Sequence, residues 1–244
     1  MRLLDVAGSL SVPIAVAMVE ETHAVKVAKT QKMSYKSPLT KNEMLRALLR
    51  VAQQQVAYRY LLADSWYASA ENMNQVRELG RDSIFALPTY RTVALSEVER
   101  SNEAFKALDT LAFPDRQPQR VWLRGVTEAV LVVWQVLTNK DGSQGVLHLM
   151  SNDTHLTWKQ VTIIYQKRWK IEDYHQSLKH NTSMGKSPTK TVDTQANHYF
   201  SSILAYIKLK RLTMQLGTGH FCLKVQLYLR GLKAMHYTLN KLVA

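Results

Sequence analysis

The sequence contains a single cysteine and no long uncharged apolar run, and both absences limit the class of protein. With only Cys222 among 244 residues, an internal disulfide and a cysteine-rich zinc site are excluded, which fits a reducing compartment. The apolar run around residues 131–137 is far shorter than the roughly 18 residues that a membrane helix requires. The apolar N-terminal segment contains Asp5 and Pro13, which favours a buried strand over a signal peptide. We therefore expect a cytoplasmic protein with no membrane partner.

Acidic residues are scarce in the C-terminal third of the chain. Residues 158–244 contain 14 Lys and Arg but only 3 Asp and Glu, so they carry +11 of the net charge of +13. Solubility alone does not explain this asymmetry, because a charged surface that serves only solubility does not require charges of one sign to be concentrated in one region. A polyanion partner explains the asymmetry, because cations that face phosphates gain free energy by releasing counterions.

Several common enzyme motifs are also missing. The sequence has no G-x-S-x-G, no H-E-x-x-H, no phosphate-binding loop and no dinucleotide fingerprint. His175 and His180 are five residues apart and do not share a helix face well, so they do not indicate a zinc pair. An unrelated α/β hydrolase or nuclease therefore remains an alternative without a motif in its favour.

Strand and helix patterns alternate in the first part of the chain, which predicts a sheet with helices packed on it. Strands are predicted at residues 11–21, 58–63 and 83–90, and helices at residues 42–56 and 69–79. Thr40 or Asn42 is the expected cap of the first helix, and Gly80 closes the second. The polar stretch 26–41 is expected to be a loop. Further helices are predicted at about residues 157–181, 194–216 and 222–242.

A stripe of polar side chains stands out in the segment YQKRWKIEDYHQSLK, residues 165–179. Its members follow offsets of 0, 3, 7 and 14: Tyr165, Arg168, Glu172 and Lys179. On one continuous helix these offsets fall within an arc of roughly 60°. Ile164, Ile171 and Leu178 form an apolar stripe beside it, which is expected to face the sheet. The polar stripe then borders the core, although an exposed ion pair between Arg168 and Glu172 is the simpler alternative.

Asp64 follows the predicted strand 58–63. Sheets of α/β proteins commonly place ligand-binding groups at this end of a strand, but an aspartate there also caps the following turn. Trp66 and Tyr67 lie close to Asp64 in sequence, and Trp169 lies close to Glu172. We expect them to pack against the core rather than to stack on unpaired bases.

The pattern Y-x2-R-x3-E-x6-K resembles the signature of the DDE transposases of bacterial insertion sequences, in the group of insertion-sequence family four and its relatives. It is complete here as Tyr165, Arg168, Glu172 and Lys179. The segments LLADSWYAS and IEDYHQSLKH are similar to the family's sequences around the middle and last catalytic acids. SVPIAVAMVEET resembles the strand that follows the family's first acid, so the resemblance spans nearly the whole chain.

This resemblance implies an α/β fold: an RNase H-like sheet with flanking helices, interrupted by a small β-rich insertion and followed by C-terminal helices. The implied domains are a partial catalytic core at 1–90, the insertion at 91–151, the rest of the core with the signature helix at 152–216, and a C-terminal helix at 217–244.

The resemblance also implies a site and its chemistry. Asp64 and Glu172 would be catalytic carboxylates that hold Mg²⁺ or Mn²⁺, while Tyr165, Arg168 and Lys179 would bind the DNA backbone. The implied reaction is phosphodiester cleavage and strand transfer on double-stranded DNA, at transposon ends and at a target. A homodimer on DNA and a place at the bacterial nucleoid follow from the same likeness.

One departure from the family concerns its first catalytic aspartate, which lies before the strand that SVPIAVAMV resembles. Asp5 is the only acid ahead of that strand, and its setting does not match; Asp153 is expected to be a turn residue. We therefore expect a transposase that lacks its N-terminal part and has doubtful activity alone. The alternative is a DNA-binding remnant without catalysis.

Overall fold

The computed structural model describes residues 2–7, 10–26, 33–112, 116–138, 141–187 and 191–243. Contacts divide the chain into two compact units. One covers residues 1–8 and 13–168, and the other covers residues 9–12 and 169–244. The domain boundaries expected at residues 90, 151 and 216 stay predictions.

Eleven strands form three sheets in the described part of the chain. The strands are β1 (Arg2–Ala7), β2 (Leu10–Val16), β3 (His23–Lys26), β4 (Met33–Lys36), β5 (Tyr60–Ala63), β6 (Asp82–Leu87), β7 (Thr92–Ala94), β8 (Lys106–Ala107), β9 (Gln119–Leu123), β10 (Val130–Thr138) and β11 (Gln144–Ser151). Two small sheets are β1–β2 and β3–β4, and the large sheet has the order β5-β6-β11-β10-β9-β7-β8. In the large sheet β5 and β6 are parallel and the other pairs are antiparallel.

Seven α-helices accompany these strands in the described ranges. They are α1 (Lys41–Gln55), α2 (Ala70–Glu78), α3 (Glu97–Ser101), α4 (Trp158–Gln166), α5 (Lys170–Asn181), α6 (Val192–Leu216) and α7 (His220–Val243). The predictions of α1, α2, β5, β6, α6 and α7 are thereby confirmed within a few residues. None of the described helices is long and apolar enough to cross a membrane.

Helices cover both faces of the large sheet because its central strands are apolar on both sides. Successive residues of a strand point to opposite faces. Phe85 and Leu87 of β6 pack with α1 and α2, whereas Ile84 and Ala86 pack with α4. The run VLVVW of β10 is buried throughout for the same reason.

The ends of α1 and α2 follow the sequence signals. The Thr40 side chain accepts a hydrogen bond from the Glu43 N–H, and the Glu43 carboxylate accepts one from the Thr40 N–H, so the capping box is complete and Thr40 rather than Asn42 is the cap. Ser69 caps α2. Gly80 follows with a φ of 66°, a conformation that glycine adopts without steric cost.

Two expectations about local structure were wrong. The stretch 26–41 is not all loop, since Met33–Lys36 pairs with His23–Lys26 as an antiparallel hairpin. The predicted helix 157–181 is not continuous, since a 3₁₀ turn at Lys167–Trp169 separates α4 from α5. The Lys167 N–H donates to the Ile164 carbonyl three residues back, the tighter 3₁₀ bond, so the helical phase changes there.

The second unit contains α5, α6 and α7 around a group of aromatic rings. The rings of Tyr174 and Tyr206 meet edge to face at 4.7 Å, and the Tyr206 ring meets the His220 ring at 5.1 Å. The Ser177 hydroxyl and His220 Nδ1 form a hydrogen bond of 2.7 Å. These contacts join the start of α7 to α5 and α6.

Candidate active site

Asp64 lies at the carboxyl end of β5, where the strand passes into the 3₁₀ turn Ser65–Tyr67. Its Oδ1 accepts a hydrogen bond of 3.0 Å from the Trp66 N–H, so the aspartate caps this turn. The side chain is half-buried. The capping role that the sequence suggested is therefore present. The bond to the Trp66 N–H uses Oδ1, and Oδ2 takes no part in it.

A fully buried asparagine, which the sequence patterns did not reveal, fixes the turn after Asp64. Asn72 Nδ2 donates to the Tyr67 carbonyl and to Asn42 Oδ1, both at 2.9 Å. Arg46 donates to Asn72 Oδ1 at 3.0 Å. Because a buried amide is costly unless bonded, this network selects one conformation for the turn. The sequence feature that could have revealed Asn72 is a polar residue on the core-facing side of α2.

Tyr165 and Arg168 gather around the same end of β5. Tyr165 is buried in α4, and its hydroxyl donates to the carbonyl of Ala63, the residue before Asp64, at 3.3 Å. Burial raises the pKa of Tyr165, and the nearby Asp64 charge adds to this, while Arg168 opposes it. The Arg168 guanidinium lies 5.7 Å from the centre of the Tyr165 ring. The structure therefore brings together Asp64, Tyr165 and Arg168.

Two tryptophans near the acids are exposed, which overturns the expectation that they pack. Trp66 is 77% exposed and Trp169 is 62% exposed. The Lys41 ammonium lies 5.4 Å from the centre of the Trp66 ring, so this aromatic face already attracts a cation. Tyr67 does pack against the core, as expected. The turn after Asp64 thus presents one aromatic side chain to solvent and buries the next.

Glu172 and Lys179 belong to the second unit and lie on α5. Glu172 is exposed in the first turn of the helix and Lys179 is exposed in its last turn. Each charge opposes the partial charge of its helix end, which is a structural reason for the residue type. Tyr174, Ser177 and Leu178 form the buried side of α5. The single continuous helix predicted for all four signature residues holds only for Glu172 and Lys179, since Tyr165 lies in α4 and Arg168 lies in the 3₁₀ turn.

The other two acids considered are Asp153 and Asp5. Asp153 accepts from the His155 N–H at 3.1 Å and from the Tyr60 hydroxyl at 2.8 Å, which confirms it as a turn residue. Asp5 lies in β1 and is half-buried.

A carboxylate is the ligand type that Mg²⁺ and Mn²⁺ prefer, because both ions favour oxygen ligands. In the described ranges, no three or more His, Cys, Asp or Glu side chains are grouped as metal ligands.

The large sheet, with helices on both faces and Asp64 at the carboxyl end of its edge strand β5, defines an α/β protein. The family model described as "Transposase DDE domain" matches residues 15–208, most of the chain. The chain therefore belongs to the DDE transposase family. A comparison with curated proteins gave no match.

Family membership confirms several predictions from the sequence. The α/β class and the RNase H-like fold are correct, with a sheet that is mostly antiparallel and helices at the C-terminal end. The function is DNA transposition, and proteins of this family generally use divalent metal ions.

Proposed function

We propose that this chain is a transposase of the insertion-sequence family four type, which cleaves and joins DNA phosphodiesters at transposon ends. The observation that carries the proposal is the grouping of Asp64, Tyr165 and Arg168 at the carboxyl end of β5. Family membership supplies the reaction, and these side chains supply an acid and a cation at one place.

Asp64 and Glu172 are proposed as the carboxylates that hold Mg²⁺ or Mn²⁺. The ion, when bound, would polarise the phosphate and lower the pKa of a water or a DNA hydroxyl. The contribution of this chain is to hold the Asp64 carboxylate still, through the Trp66 N–H and the Asn72 network.

Arg168 and Lys179 are proposed to bind the DNA backbone, because a guanidinium forms paired hydrogen bonds with phosphate and an ammonium acts as a compact positive charge. Tyr165 is proposed to act with them near the transposon end. The buried Tyr165 hydroxyl donates to the Ala63 carbonyl, so Tyr165 also helps to position Asp64 and Arg168. The exposed Trp66 has the surface to stack on an unpaired base.

We further propose that these 244 residues alone cleave DNA weakly. Neither Asp5 nor Asp153 has the setting of the family's first acid, and two carboxylates position metal ions less well than three. On DNA the functional form is proposed to be a homodimer at the bacterial nucleoid, acting on transposon ends and a target site.

The test measures nicking of a supercoiled plasmid that carries the DNA flanking the gene, with Mg²⁺ and with Mn²⁺. Asp64→Asn and Glu172→Gln are expected to abolish the nicking that the wild type shows. Asp173→Asn is the matched control, since this exposed neighbour of Glu172 forms an ion pair of 3.3 Å with Lys170, and such surface pairs contribute little to stability. Equal loss in all three variants, or no loss in the first two, would reject the assigned roles.

A second candidate is DNA binding without catalysis, which the strong positive charge of residues 158–244 favours. It predicts salt-sensitive binding of DNA that neither a chelator nor Asp64→Asn changes, together with no nicking under any metal. Metal-dependent nicking that Asp64→Asn removes excludes it.

A further inference from the structure

The antiparallel hairpin of β3 and β4 presents side chains to solvent on both of its faces. Four cross-strand pairs join His23–Lys26 to Met33–Lys36. Seven of these eight residues are exposed, and Ser34 is half-buried. A two-stranded hairpin with both faces open is marginally stable in water, because it buries little apolar area. A partner that lies against the hairpin would therefore stabilise it. We call these eight residues the β3–β4 ribbon.

The charge of the ribbon indicates the chemistry of that partner. Residues 23–36 contain four lysines and no Asp or Glu, so this segment carries +4. Within the ribbon, Lys26 and Lys36 are both exposed. The nearest preceding acids, Glu20 and Glu21, lie before β3 rather than on it. Charges of one sign that are concentrated on an exposed surface attract a polyanion.

Each face of the ribbon combines one lysine with exposed apolar area, because cross-strand partners share a face and successive residues alternate. One face consists of His23, Val25, Ser34 and Lys36, and the other consists of Ala24, Lys26, Met33 and Tyr35. Met33 is 61% exposed and Tyr35 is 59% exposed. In a DNA groove, lysines bind phosphates and apolar side chains contact thymine methyl groups. Duplex DNA therefore matches both kinds of side chain on the ribbon.

The end of the ribbon lies within reach of the candidate active site. Lys36 is five residues before Lys41, so the Cα atoms of these two residues are at most about 18 Å apart. The Lys41 ammonium lies 5.4 Å from the centre of the Trp66 ring, and the Trp66 N–H donates to Asp64. One helical turn of duplex DNA is about 34 Å long. A duplex with one phosphate at Asp64 therefore extends far enough to meet the ribbon.

The shape of the ribbon selects one of the two DNA grooves. The major groove of B-DNA is about 12 Å wide and admits a two-stranded β-ribbon, whereas the minor groove is only about 6 Å wide. Two strands with a spacing of about 4.8 Å, together with their side chains, fill the wider groove. A flat acidic protein surface would cover one face of the ribbon and leave the other open. A groove encloses both faces, which is what the exposure of the ribbon requires.

We propose that the β3–β4 ribbon lies in the major groove of the DNA next to the phosphate at Asp64, where Lys26 and Lys36 bind the DNA backbone. The proposal rests on the proposed function for the position of that phosphate, and it adds a DNA-binding surface outside the signature residues. It requires neither a metal ion nor cleavage, so binding is measured in the presence of a chelator.

The first test is the affinity of the full chain for a labelled duplex of the DNA that flanks the gene, measured by fluorescence anisotropy over a salt series. Lys26→Gln with Lys36→Gln is expected to weaken binding roughly tenfold or more and to reduce the slope of log K against log salt by about 2 in magnitude. Lys26→Arg with Lys36→Arg keeps both charges and should bind like the wild type. Arg50→Gln with Arg120→Gln is the matched control, since it removes two exposed cations of the same unit outside the ribbon, and it should change the slope less. Wild-type affinity and slope in the Lys→Gln variant would overturn the proposal.

The second test identifies the groove by chemical footprinting on the same duplex at saturating protein. Dimethyl sulfate modifies guanine at N7 in the major groove and adenine at N3 in the minor groove. The wild type is expected to protect a group of guanines that Lys26→Glu with Lys36→Glu leaves reactive, because the reversed charges repel the phosphates beside the groove. The same guanine protection in both proteins, or protection of adenine alone in the wild type, contradicts the placement of the ribbon.

Folding and catalysis are measured separately from these contacts. The ribbon variants should keep the circular dichroism and the urea midpoint of the wild type, because Lys26 and Lys36 are exposed. If Asp64→Asn abolishes nicking while the ribbon variants bind and protect DNA as the wild type does, the ribbon proposal fails and the proposed function stands. If no metal ion supports nicking but the ribbon variants lose affinity and guanine protection, the ribbon proposal stands and the proposed function fails.

Discussion

Single side chains anchor the strand that leads to Asp64. At the start of β5 the Tyr60 hydroxyl donates to Asp153 Oδ2 at 2.8 Å, and Arg59 lies 3.4 Å from the same oxygen. Partial burial, and then the bond to Asp153, raise the pKa of Tyr60 to about 12. At the other end of β5 the Tyr165 hydroxyl bonds to Ala63. Two tyrosines therefore attach the loop before α4, and α4 itself, to one short strand.

Tyr60 should make the protein sensitive to alkaline pH. Its folded pKa of about 12 lies above the ordinary value of 10.0, so its stabilising effect is complete below pH 10 and is lost as pH rises toward 12. Tyr60→Phe is expected to lower the free energy of unfolding at neutral pH and to reduce its further decline above about pH 10. Urea unfolding at a series of pH values measures both. Tyr90→Phe, at a tyrosine that is 75% exposed, is the control and should decline like the wild type.

An alkaline decline that is the same in Tyr60→Phe as in the wild type would contradict this assignment. The sequence could predict Asp153 as a turn residue, because Asp and Asn commonly bond to the backbone two residues on. It could not predict its partner Tyr60, which is 93 residues away.

At the scale of elements, α1 depends on local signals at its start. The capping box between Thr40 and Glu43 satisfies two backbone N–H groups that the helix leaves unpaired. Leu45 and Leu49 then pack in the same core as Leu61 of β5. The cap therefore helps to fix a helix that lies beneath the strand of the candidate site.

Thr40→Ala is expected to lower the free energy of unfolding by about 1 kcal/mol, since it removes the cap of an exposed helix end. Thr40→Ser keeps an acceptor there and should stay close to the wild type. The pKa of Glu43 is lowered chiefly by its bond to the Thr40 N–H. This stabilisation is present above the unfolded pKa of Glu43 and is lost as pH falls through its folded pKa. The Ala variant keeps the backbone N–H of residue 40 and loses only the hydroxyl that also bonds to Glu43, so its stability should fall on acidification nearly as much as that of the wild type. Urea unfolding of the three proteins at neutral and acidic pH gives both comparisons, and equal stability of all three would exclude the cap.

In the signature segment, residues 165–179, the structure departs from the helix that the sequence pattern predicts. The polar offsets from Tyr165 to Lys179 predict one continuous helix, and no proline or glycine occurs in between to argue otherwise. The chain nevertheless forms a 3₁₀ turn at Lys167–Trp169. The boundary between the two compact units falls at the same place, after residue 168. A helical wheel drawn across that turn therefore assigns the wrong angular positions to the residues of α5.

At the scale of the whole molecule, the charge is concentrated in the C-terminal third. Residues 158–244 carry +11, and the preceding residues carry the remaining +2 of the net charge. On α7 the exposed cations include Arg230, Lys233 and Lys241. Exposed cations of this kind are available to phosphates.

DNA binding should therefore depend on salt through the C-terminal cations. Arg230→Gln with Lys233→Gln is expected to weaken binding and to reduce the slope of log K against log salt by about 1 to 2 in magnitude. The matched control is Arg50→Gln with Arg120→Gln, two exposed cations from the first part of the chain. Fluorescence anisotropy with a labelled duplex over a salt series measures the slopes. Equal slope changes in both variants would argue against a C-terminal DNA interface.

The sequence by itself determined what local chemistry and spacing encode. A cap at the start of α1, at Thr40 or Asn42, the turn at Gly80 and the basic C-terminal third are each properties of neighbouring residues or of composition. The four-residue pattern likewise predicted a DDE transposase, and the family model over residues 15–208 confirms that broader family.

Only the tertiary structure decided which distant groups meet. Tyr165 contacts Ala63 across 102 residues, and Asn72 ties the Asp64 turn to α1, because folding closes loops that no local pattern records. The same applies to exposure: Trp66, Leu232 and Leu239 are of residue types common in a core, and their position at the surface depends on what the rest of the chain leaves uncovered. The burial of a side chain depends on all the elements that pack around it, so it is decided only when the whole chain has folded.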